Sequence, residues 1–156
     1  MKVLAISDTH FKRSEEMLSF VEEVEDLFFK ANLVVHAGDF VSEEVYSTLK
    51  KVCDKNGIDL LAVRGNCDEL ALKEVDVVKS IGAKHEPSMP DFADIYYLAL
   101  ELGVSVMVFG YIHSFALVSK RPLVFCPGCA KLRQYAFVDK KLTFFHGGER
   151  VESYNI

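Results

Sequence analysis

Short apolar runs alternate with longer amphipathic segments along the first half of the chain. Residues 3–7 form a run of the kind that is buried on both faces of a parallel sheet. Residues 33–35 and 60–63 repeat this pattern, with enough chain between them for a helix. The pattern therefore predicts three parallel strands in strand–helix units.

Two of the intervening segments have helical periodicity. Ser14 and Ser42 are predicted to be the N-caps, and each is followed by acidic residues, which the helix dipole favours. Asn56-Gly57 is predicted to end the second helix. The predicted apolar face of the first helix consists of Met17, Val21, Val24 and Phe28. That of the second helix consists of Val45, Leu49 and Val52.

The second half of the chain is richer in strands. Residues 91–102 are predicted to form a helix that Gly103 ends, and residues 104–109 a fourth buried strand. Three short strands are predicted at residues 123–125, 134–138 and 142–145, with antiparallel pairing at tight turns such as Asp139-Lys140. We therefore expect an α/β fold, a layered α/β sandwich with parallel units first and a β-rich C-terminal part. A single domain is expected over residues 1–156.

The composition limits which partners and which cellular compartment we expect for this protein. Of the 156 residues 50% are hydrophobic and 26% are charged, with a formal net charge of −5. That acidic balance argues against nucleic acid as a stable partner, because phosphate backbones favour basic surfaces. No apolar run reaches the ~18 residues of a membrane-spanning helix. The 4 cysteines are too sparse for a secreted disulfide scaffold. We expect a cytoplasmic, reduced protein with no membrane partner.

Polar side chains follow four of the predicted strands at the point where each strand ends. They are Asp8 and His10, then Asp39, then Asn66, and finally His113. In open α/β sheets the carboxyl ends of the strands form the functional crevice. Oxygen and imidazole ligands together suit Mn²⁺, Zn²⁺ or Fe²⁺. The order of these residues therefore predicts a divalent metal site.

The series Asp-x-His, Gly-Asp, Gly-Asn and Gly-x-x-His resembles the calcineurin-like metallophosphoesterases. The resemblance is closest to their small phosphodiesterase branch, which includes the phosphoesterase-like subunit of retromer. Residues 35–40 and 125–128 also resemble segments of that branch, so the likeness covers nearly the whole chain. It implies phosphodiester hydrolysis, with a small phosphate ester as the substrate. The oligomeric state is left open.

In this family two metal ions share a bridging aspartate. The resemblance implies that Asp39 is the bridge, that Asp8, His10 and His113 bind the first ion, and that Asn66 binds the second. Asn66 would also orient the phosphoryl oxygens. The expected cofactors are two divalent ions, Mn²⁺ first, with Zn²⁺, Fe²⁺ or Ni²⁺ as alternatives. Such a pair, about 3.5–4 Å apart, lowers the pKa of a shared water toward ~7 and clamps the phosphoryl group.

Two departures from the family pattern concern the second ion. Tyr111 stands where the family has the first histidine of Gly-His-x-His, and the family's His-Gly-His triplet is absent. We predict that His85 supplies the missing ligand and that His146 lies on the surface. An ordinary phenol, with a pKa of ~10, is a poor ligand, so we expect the second site to be weak. The alternative function is a binding or scaffold protein that keeps part of the site.

Cys67 is the third candidate catalytic residue, after Asp39 and Asn66. It follows Asn66 directly, where many family members have a histidine proposed to act on the leaving group. A thiol of ordinary pKa ~8.5 could donate a proton there. The small phosphodiesterase branch often has another residue at this position, so the resemblance assigns Cys67 no fixed role.

Cys126 and Cys129 form a Cys-x-x-Cys pair, which serves redox exchange or half of a zinc site in other proteins. No amphipathic helix follows the pair, so we predict a loop near the metal cleft and keep a thiol-redox protein as a third alternative. His36 lies inside an apolar strand. It is predicted to be a buried, hydrogen-bonded histidine and not a ligand.

Overall fold

The computed structural model describes residues 1–88 and 91–156, which form four layers: helix, sheet, sheet and helix. This confirms the predicted layered α/β sandwich. Within the described residues, no helix is long and apolar enough to cross a bilayer. The helices are α1 (Ser14–Glu23), α2 (Glu25–Phe28), α3 (Glu43–Lys55) and α4 (Ala93–Glu101), with a 3-10 helix at Ala130–Leu132. The strands are β1 (Val3–Ile6), β2 (Leu33–His36), β3 (Asp59–Ala62), β4 (Val75–Val78), β5 (Ile81–Lys84), β6 (Val106–Phe109), β7 (Phe115–Lys120), β8 (Leu123–Pro127), β9 (Gln134–Val138), β10 (Lys141–His146) and β11 (Glu149–Asn155).

The first sheet has six strands in the order β11-β10-β9-β1-β2-β3. Strands β1, β2 and β3 are parallel, as predicted, and β9 pairs with β1 in the antiparallel direction. Both faces of β1 are buried: Leu4 and Ile6 pack toward α1 and α3, whereas Val3 and Ala5 face the second sheet. This two-sided burial explains why β1 is a continuous apolar run and not an alternating one.

The fourth predicted strand, β6, does not join this sheet. It lies at the centre of a second sheet of five strands, in the order β4-β5-β6-β8-β7. Each of the two sheets therefore combines parallel with antiparallel pairs. Strands β4, β5 and β7 escape prediction because β4 and β7 are only partly buried and β5 has Gly82 at its centre.

Three apolar cores separate the four layers. The middle core lies between the sheets, where Ala5 and Val35 face Ala83 and Val108. Small side chains at two of these positions allow a close approach of the sheets. The ends of β2 and β5 consequently meet, and the Nδ1 atom of His85 lies 2.6 Å from the carbonyl oxygen of Ala37. Packing between the sheets therefore positions the functional site.

The helix boundaries and faces differ from prediction in detail. Ser14 is the first residue of α1 and not its N-cap, and its Oγ donates to Glu44 Oε1 on α3 at 2.8 Å. The first predicted helix is interrupted at Val24, where α1 gives way to α2. Helix α4 is shorter than residues 91–102, although Gly103 does follow its end in the left-handed conformation. The fully buried residues of α3 are Val45, Leu49 and Cys53, and the predicted Val52 is partly buried against the same core.

The C-terminal part contains the three predicted strands as β8, β9 and β10, and β9 and β10 pair in the antiparallel direction across Asp139-Lys140. Strand β11 completes the edge of the first sheet. Most of its side chains are exposed, so it lacks the alternation of apolar and polar residues that would predict a strand.

Candidate metal centre

Five strands deliver polar side chains to one place, and they come from both sheets. Asp8 and His10 follow β1, Asp39 follows β2, and Asn66 follows β3. From the second sheet, His85 follows β5 and His113 follows β6. The structure thus brings together all six residues that were predicted to bind metal.

Asp8 is the most buried acid of this group, with no exposed surface. Its Oδ2 accepts hydrogen bonds from Ser7 Oγ at 2.6 Å and from the Tyr111 backbone N–H at 3.1 Å. Its Oδ1 lies 3.1 Å from His113 Nε2 and 3.7 Å from His10 Nε2. One oxygen is therefore held by the protein, while the other faces three imidazoles, since His85 Nε2 lies 3.8 Å from it.

Asp39 lies between the histidines of the two sheets. Its Oδ2 is 3.4 Å from His10 Nε2 and 3.3 Å from His85 Nε2, and its Oδ1 accepts the backbone N–H of Cys67 at 2.9 Å. Burial by itself would raise the pKa of Asp39. The hydrogen bonds from His85 and Cys67, with the charges of His85 and His10, outweigh burial and lower the pKa to about 2. The carboxylate is therefore ionised at neutral pH and faces both halves of the site.

His85 is oriented by the backbone of the neighbouring sheet. Because Ala37 O can only accept, His85 Nδ1 carries the proton of their 2.6 Å hydrogen bond. In the neutral ring Nε2 then holds a lone pair that can bind a metal ion, whereas in the protonated ring Nε2 donates toward Asp39 Oδ2 at 3.3 Å and Asn66 Oδ1 at 3.0 Å. Burial would lower the pKa of His85, but Asp39 and Asp8 outweigh burial and raise it. A backbone carbonyl that fixes the tautomer in this way is typical of metal-binding histidines.

One buried atom of the cluster lacks a hydrogen-bond partner. His10 Nε2 has no hydrogen bond although two carboxylates lie within 3.7 Å of it. Two groups of potential ligands occur here, Asp8 with His10 and His113, and Asp8 with Asp39 and His85. In each group the ligand atoms lie within 4.8 Å of one another. Buried carboxylates with imidazoles suit a divalent ion, which would satisfy His10 Nε2.

The backbone of the site is strained at the ligands themselves. Asp8, His10, Asp39 and His113 all have positive φ angles, between 45° and 60°. This left-handed region is uncommon for residues other than glycine and is enriched at functional sites. Two glycines are needed beside these residues. A Cβ on Gly65 would collide with the Asp39 carboxylate, and one on Gly110 would collide with Ser7 Oγ.

Asp68 has a structural role that the sequence pattern did not predict. Its carboxylate accepts three backbone N–H groups, from Asp39 at 2.9 Å, Gly65 at 2.8 Å and Val41 at 2.7 Å. The available signal was its place in a loop directly after Asn66, since aspartate side chains commonly bind backbone N–H groups in turns.

Three further residues lie where they were predicted or beside the site. His146 is exposed on β10, and His36 is fully buried, with Nδ1 accepting the Gly38 N–H at 3.2 Å. Burial and the nearby His85 hold the pKa of His36 far below its usual value, so its ring is neutral. Tyr111 is 39% exposed and its ring packs edge-on against His85, with the ring centroids 5.8 Å apart.

All four cysteines are free thiols. Cys126 and Cys129 are buried, and Cys129 Sγ donates to the carbonyl oxygen of Asp8 at 3.3 Å. Cys129 therefore lies beside the site as predicted, whereas Cys126 lies on strand β8 and not in a loop. Burial raises the pKa of both thiols, which disfavours the thiolate that redox exchange requires. Cys67 is exposed, and a partial loss of hydration together with the Asp39 carboxylate raises its pKa.

A polar cleft of about 550 Å³ opens beside Asn66 and His85. Arg64, Glu74 and Lys84 line it further from the cluster, and Arg64 Nη2 pairs with Glu74 Oε1 at 2.6 Å. The cleft is large enough for one organic group of a phosphate ester.

Solved structures with this fold include several of similar size. A single mutant of Vps29 from Entamoeba histolytica superposes with a TM-score of 0.68 at 21% identity, covering 99% of this chain and 100% of the other. A predicted phosphoesterase from Streptococcus pneumoniae gives 0.67 at 20% identity, with 99% and 97% covered. Wild-type Vps29 from Entamoeba histolytica, complexed with Zn²⁺, gives 0.64 at 19% identity, with 99% of both chains covered. At these identities the likeness shows the fold alone.

Sequence comparison identifies the family. A probable metallophosphoesterase of Methanocaldococcus jannaschii is 30% identical over 122 residues, which are 73% of this chain and 59% of that protein. Another, from Methanothermobacter thermautotrophicus, is 31% identical over 124 residues, 72% of this chain and 67% of that protein. The chain thus matches little more than half the length of the first relative. A sequence model of the calcineurin-like phosphoesterase superfamily domain matches residues 1–145. The chain therefore belongs to the calcineurin-like phosphoesterase superfamily.

Proposed function

We propose that this protein is a metal-dependent phosphodiesterase that acts at a dinuclear site. The observation that carries the proposal is the pair of ligand groups, which meet at Asp8 and leave His10 Nε2 without a hydrogen bond. A lone metal site would need only one of these groups. Two adjacent groups are what a phosphoryl clamp requires.

We assign the ligand sets from the two groups together with the family resemblance, which makes Asp39 the shared residue and adds Asn66. Asp8, His10 and His113 would hold the first ion, with Asp39 Oδ2 at 3.4 Å from His10 Nε2. Asp39 and His85 would hold the second, together with Asn66 Oδ1, which is 3.0 Å from His85 Nε2. When bound, divalent ions of this kind polarise the phosphoryl oxygens and lower the pKa of a bound water. Of the possible divalent ions, we expect Mn²⁺ to be the one that supports activity.

The remaining steps belong to the side chains. Asn66, whose amide is exposed at the mouth of the cleft, orients the phosphoryl oxygens. Cys67 is exposed next to it, and its raised pKa keeps the thiol protonated, so it supplies no nucleophile and only a weak proton donor. Leaving groups that depart as weakly basic oxyanions should therefore react best. The cleft beside Asn66 would hold the second organic group of a diester.

The second candidate function is a binding or scaffold protein with an incomplete site. Tyr111 favours the scaffold function, because this phenol stands where the family has a histidine ligand. Its ring packs edge-on against His85. Such a protein would keep the first ion and lose turnover.

Metal counting and hydrolysis together separate the two functions. The purified protein is titrated with Mn²⁺ by calorimetry, and hydrolysis of bis(4-nitrophenyl) phosphate is followed at each metal concentration. Two ions with metal-dependent turnover support the phosphodiesterase, whereas one ion or none without turnover supports the scaffold. Asp54→Asn is a suitable control, because Asp54 is an exposed acid that pairs with Lys50 on α3.

A further inference from the structure

Asp68 links two of the loops that carry candidate ligands. Its Oδ2 accepts the N–H of Asp39 at 2.9 Å and that of Gly65 at 2.8 Å, while its Oδ1 accepts the N–H of Val41 at 2.7 Å. The first loop follows β2 and carries Asp39, and the second follows β3 and precedes Asn66. One carboxylate therefore ties together the backbones on either side of the second metal site.

Two of the three donors belong to strained residues. Asp39 has a φ angle of 60° and Val41 one of 72°. A β-branched residue in this region is a genuine outlier and keeps that conformation only where its surroundings hold it. Hydrogen bonds to a charged carboxylate are among the strongest that a backbone N–H can make. Asp68 is thus well placed to maintain the loop conformation that directs Asp39 into the site.

We infer that Asp68 is a positioning residue of the second metal site, which sets the separation of Asp39 and Asn66 without touching either ion. This inference rests on the proposed dinuclear site. Both Asp68 oxygens already accept backbone N–H groups, and Asp68 belongs to neither group of potential metal ligands. Its effect on a metal ion is therefore indirect.

An asparagine at this position cannot make all three hydrogen bonds. The carboxylate offers two accepting oxygens, whereas an amide offers one oxygen and an NH₂ group that only donates. In either orientation of the amide, the NH₂ group would face at least one of the three N–H groups. Asp68→Asn should therefore release at least one loop although the side chain has nearly the same shape.

The expected loss is specific to one ion. Replacing residues that orient metal ligands typically weakens metal binding by about 10–100-fold. We expect Asp68→Asn to weaken the second, lower-affinity Mn²⁺ by that factor, because Asp39 and Asn66 both lie on the released loops. The first ion should be weakened less than the second, since only Asp39 among its ligands lies on a released loop, whereas Asp8, His10 and His113 lie outside those loops. A purely structural role would lower thermal stability and leave the difference between the two affinities unchanged.

The test is a calorimetric Mn²⁺ titration of the wild type, Asp68→Asn and Asp139→Asn, with a thermal melt of each protein. Asp139 is a matched control, because its Oδ1 also accepts a backbone N–H, that of Lys141 at 3.0 Å, in the turn between β9 and β10. Selective weakening of the second ion in Asp68→Asn alone supports the inference. The inference is overturned if Asp68→Asn weakens both ions equally or weakens neither. In that case two ions bound by the wild type would still support the dinuclear site. A wild type without a second ion overturns both.

A second variant keeps the inference testable if Asp68→Asn does not fold. Glycine adopts a positive φ at little cost, so Val41→Gly removes one source of strain. The double variant Val41→Gly/Asp68→Asn is then compared with Val41→Gly by the same titration. The second ion should again be weakened about 10–100-fold, and unchanged affinities overturn the inference.

Discussion

Replacing Asp39 with asparagine removes one charge from the centre of the site and little else. The amide keeps the size of the carboxylate, and its oxygen can still accept the Cys67 N–H, which is 2.9 Å from Oδ1 in the wild type. The anionic oxygen that faces His10 and His85 is lost. We expect Asp39→Asn to bind no second ion, to bind the first more weakly, and to hydrolyse diesters at the background rate.

The metal-free protein allows the contribution of this carboxylate to be measured separately. Its pKa is about 2 in the folded protein against an ordinary 3.8. A depressed pKa stabilises the folded state fully above the unfolded value, and this stabilisation is lost as the pH falls through about 2. At 1.36 kcal/mol for each pKa unit, the buried Asp39 carboxylate contributes about 2 kcal/mol at pH 5.

Urea unfolding in the presence of a chelator, at several pH values between about 2.5 and 5, measures this contribution. As the pH rises over this interval, the free energy of unfolding of the wild type should increase by most of that ~2 kcal/mol relative to Asp39→Asn. The comparison subtracts the other carboxylates, which titrate in both proteins. If the two proteins gain the same stability with pH, the carboxylate does not interact with its histidines as the structure indicates. If Asp39→Asn still binds two ions, Asp39 is not the bridge.

Three further predictions concern the second metal site, and two of them have a matched control variant. In a Mn²⁺ titration, His85→Ala should remove the weaker ion. His146→Ala, at the exposed end of β10, should leave both ions bound. The opposite result would place the missing ligand at the C-terminus. Tyr111→His should tighten the second site and raise hydrolysis at low metal, because imidazole binds such ions readily; a variant that gains neither metal nor rate would show that the defect lies elsewhere. Gly110→Ala places a methyl group within 2.7 Å of His85 Nδ1 and should abolish binding of the second ion. Gly103→Ala is the control, because Gly103 lies in open space at φ +65°. This variant should lower the free energy of unfolding in urea by about 1 kcal/mol and leave metal binding unchanged. Equal metal binding by the two alanine variants would contradict the steric argument.

The part of the site on the first sheet could be predicted from the sequence because it is encoded locally. Strands β1, β2 and β3 are mainly apolar, and a polar residue follows the carboxyl end of each within four positions: Asp8, Asp39 and Asn66. A parallel strand–helix pattern places such ends along one edge of a sheet. Neither the strands nor the residues that follow them needed long-range information.

The part on the second sheet required the tertiary structure. His85 follows β5, a four-residue strand interrupted by Gly82, and no local pattern shows that this strand packs over the first sheet. Its position comes from the core between the sheets, where Ala83 and Val108 meet Ala5 and Val35. The role of Asp68 is equally non-local, because its partners are three backbone N–H groups, and backbone groups leave no signature in the side-chain sequence.

The sequence by itself therefore determined which chemical groups this protein offers and on which strand ends most of them lie. The tertiary structure decided which groups share a site, because distances between residues far apart in the chain depend on how the two sheets pack. Asp8 and His113 are separated by 105 positions, yet their side chains approach to 3.1 Å. Apolar burial between the sheets supplies the free energy for that approach, and the strained loop backbones then direct the ligands toward one another.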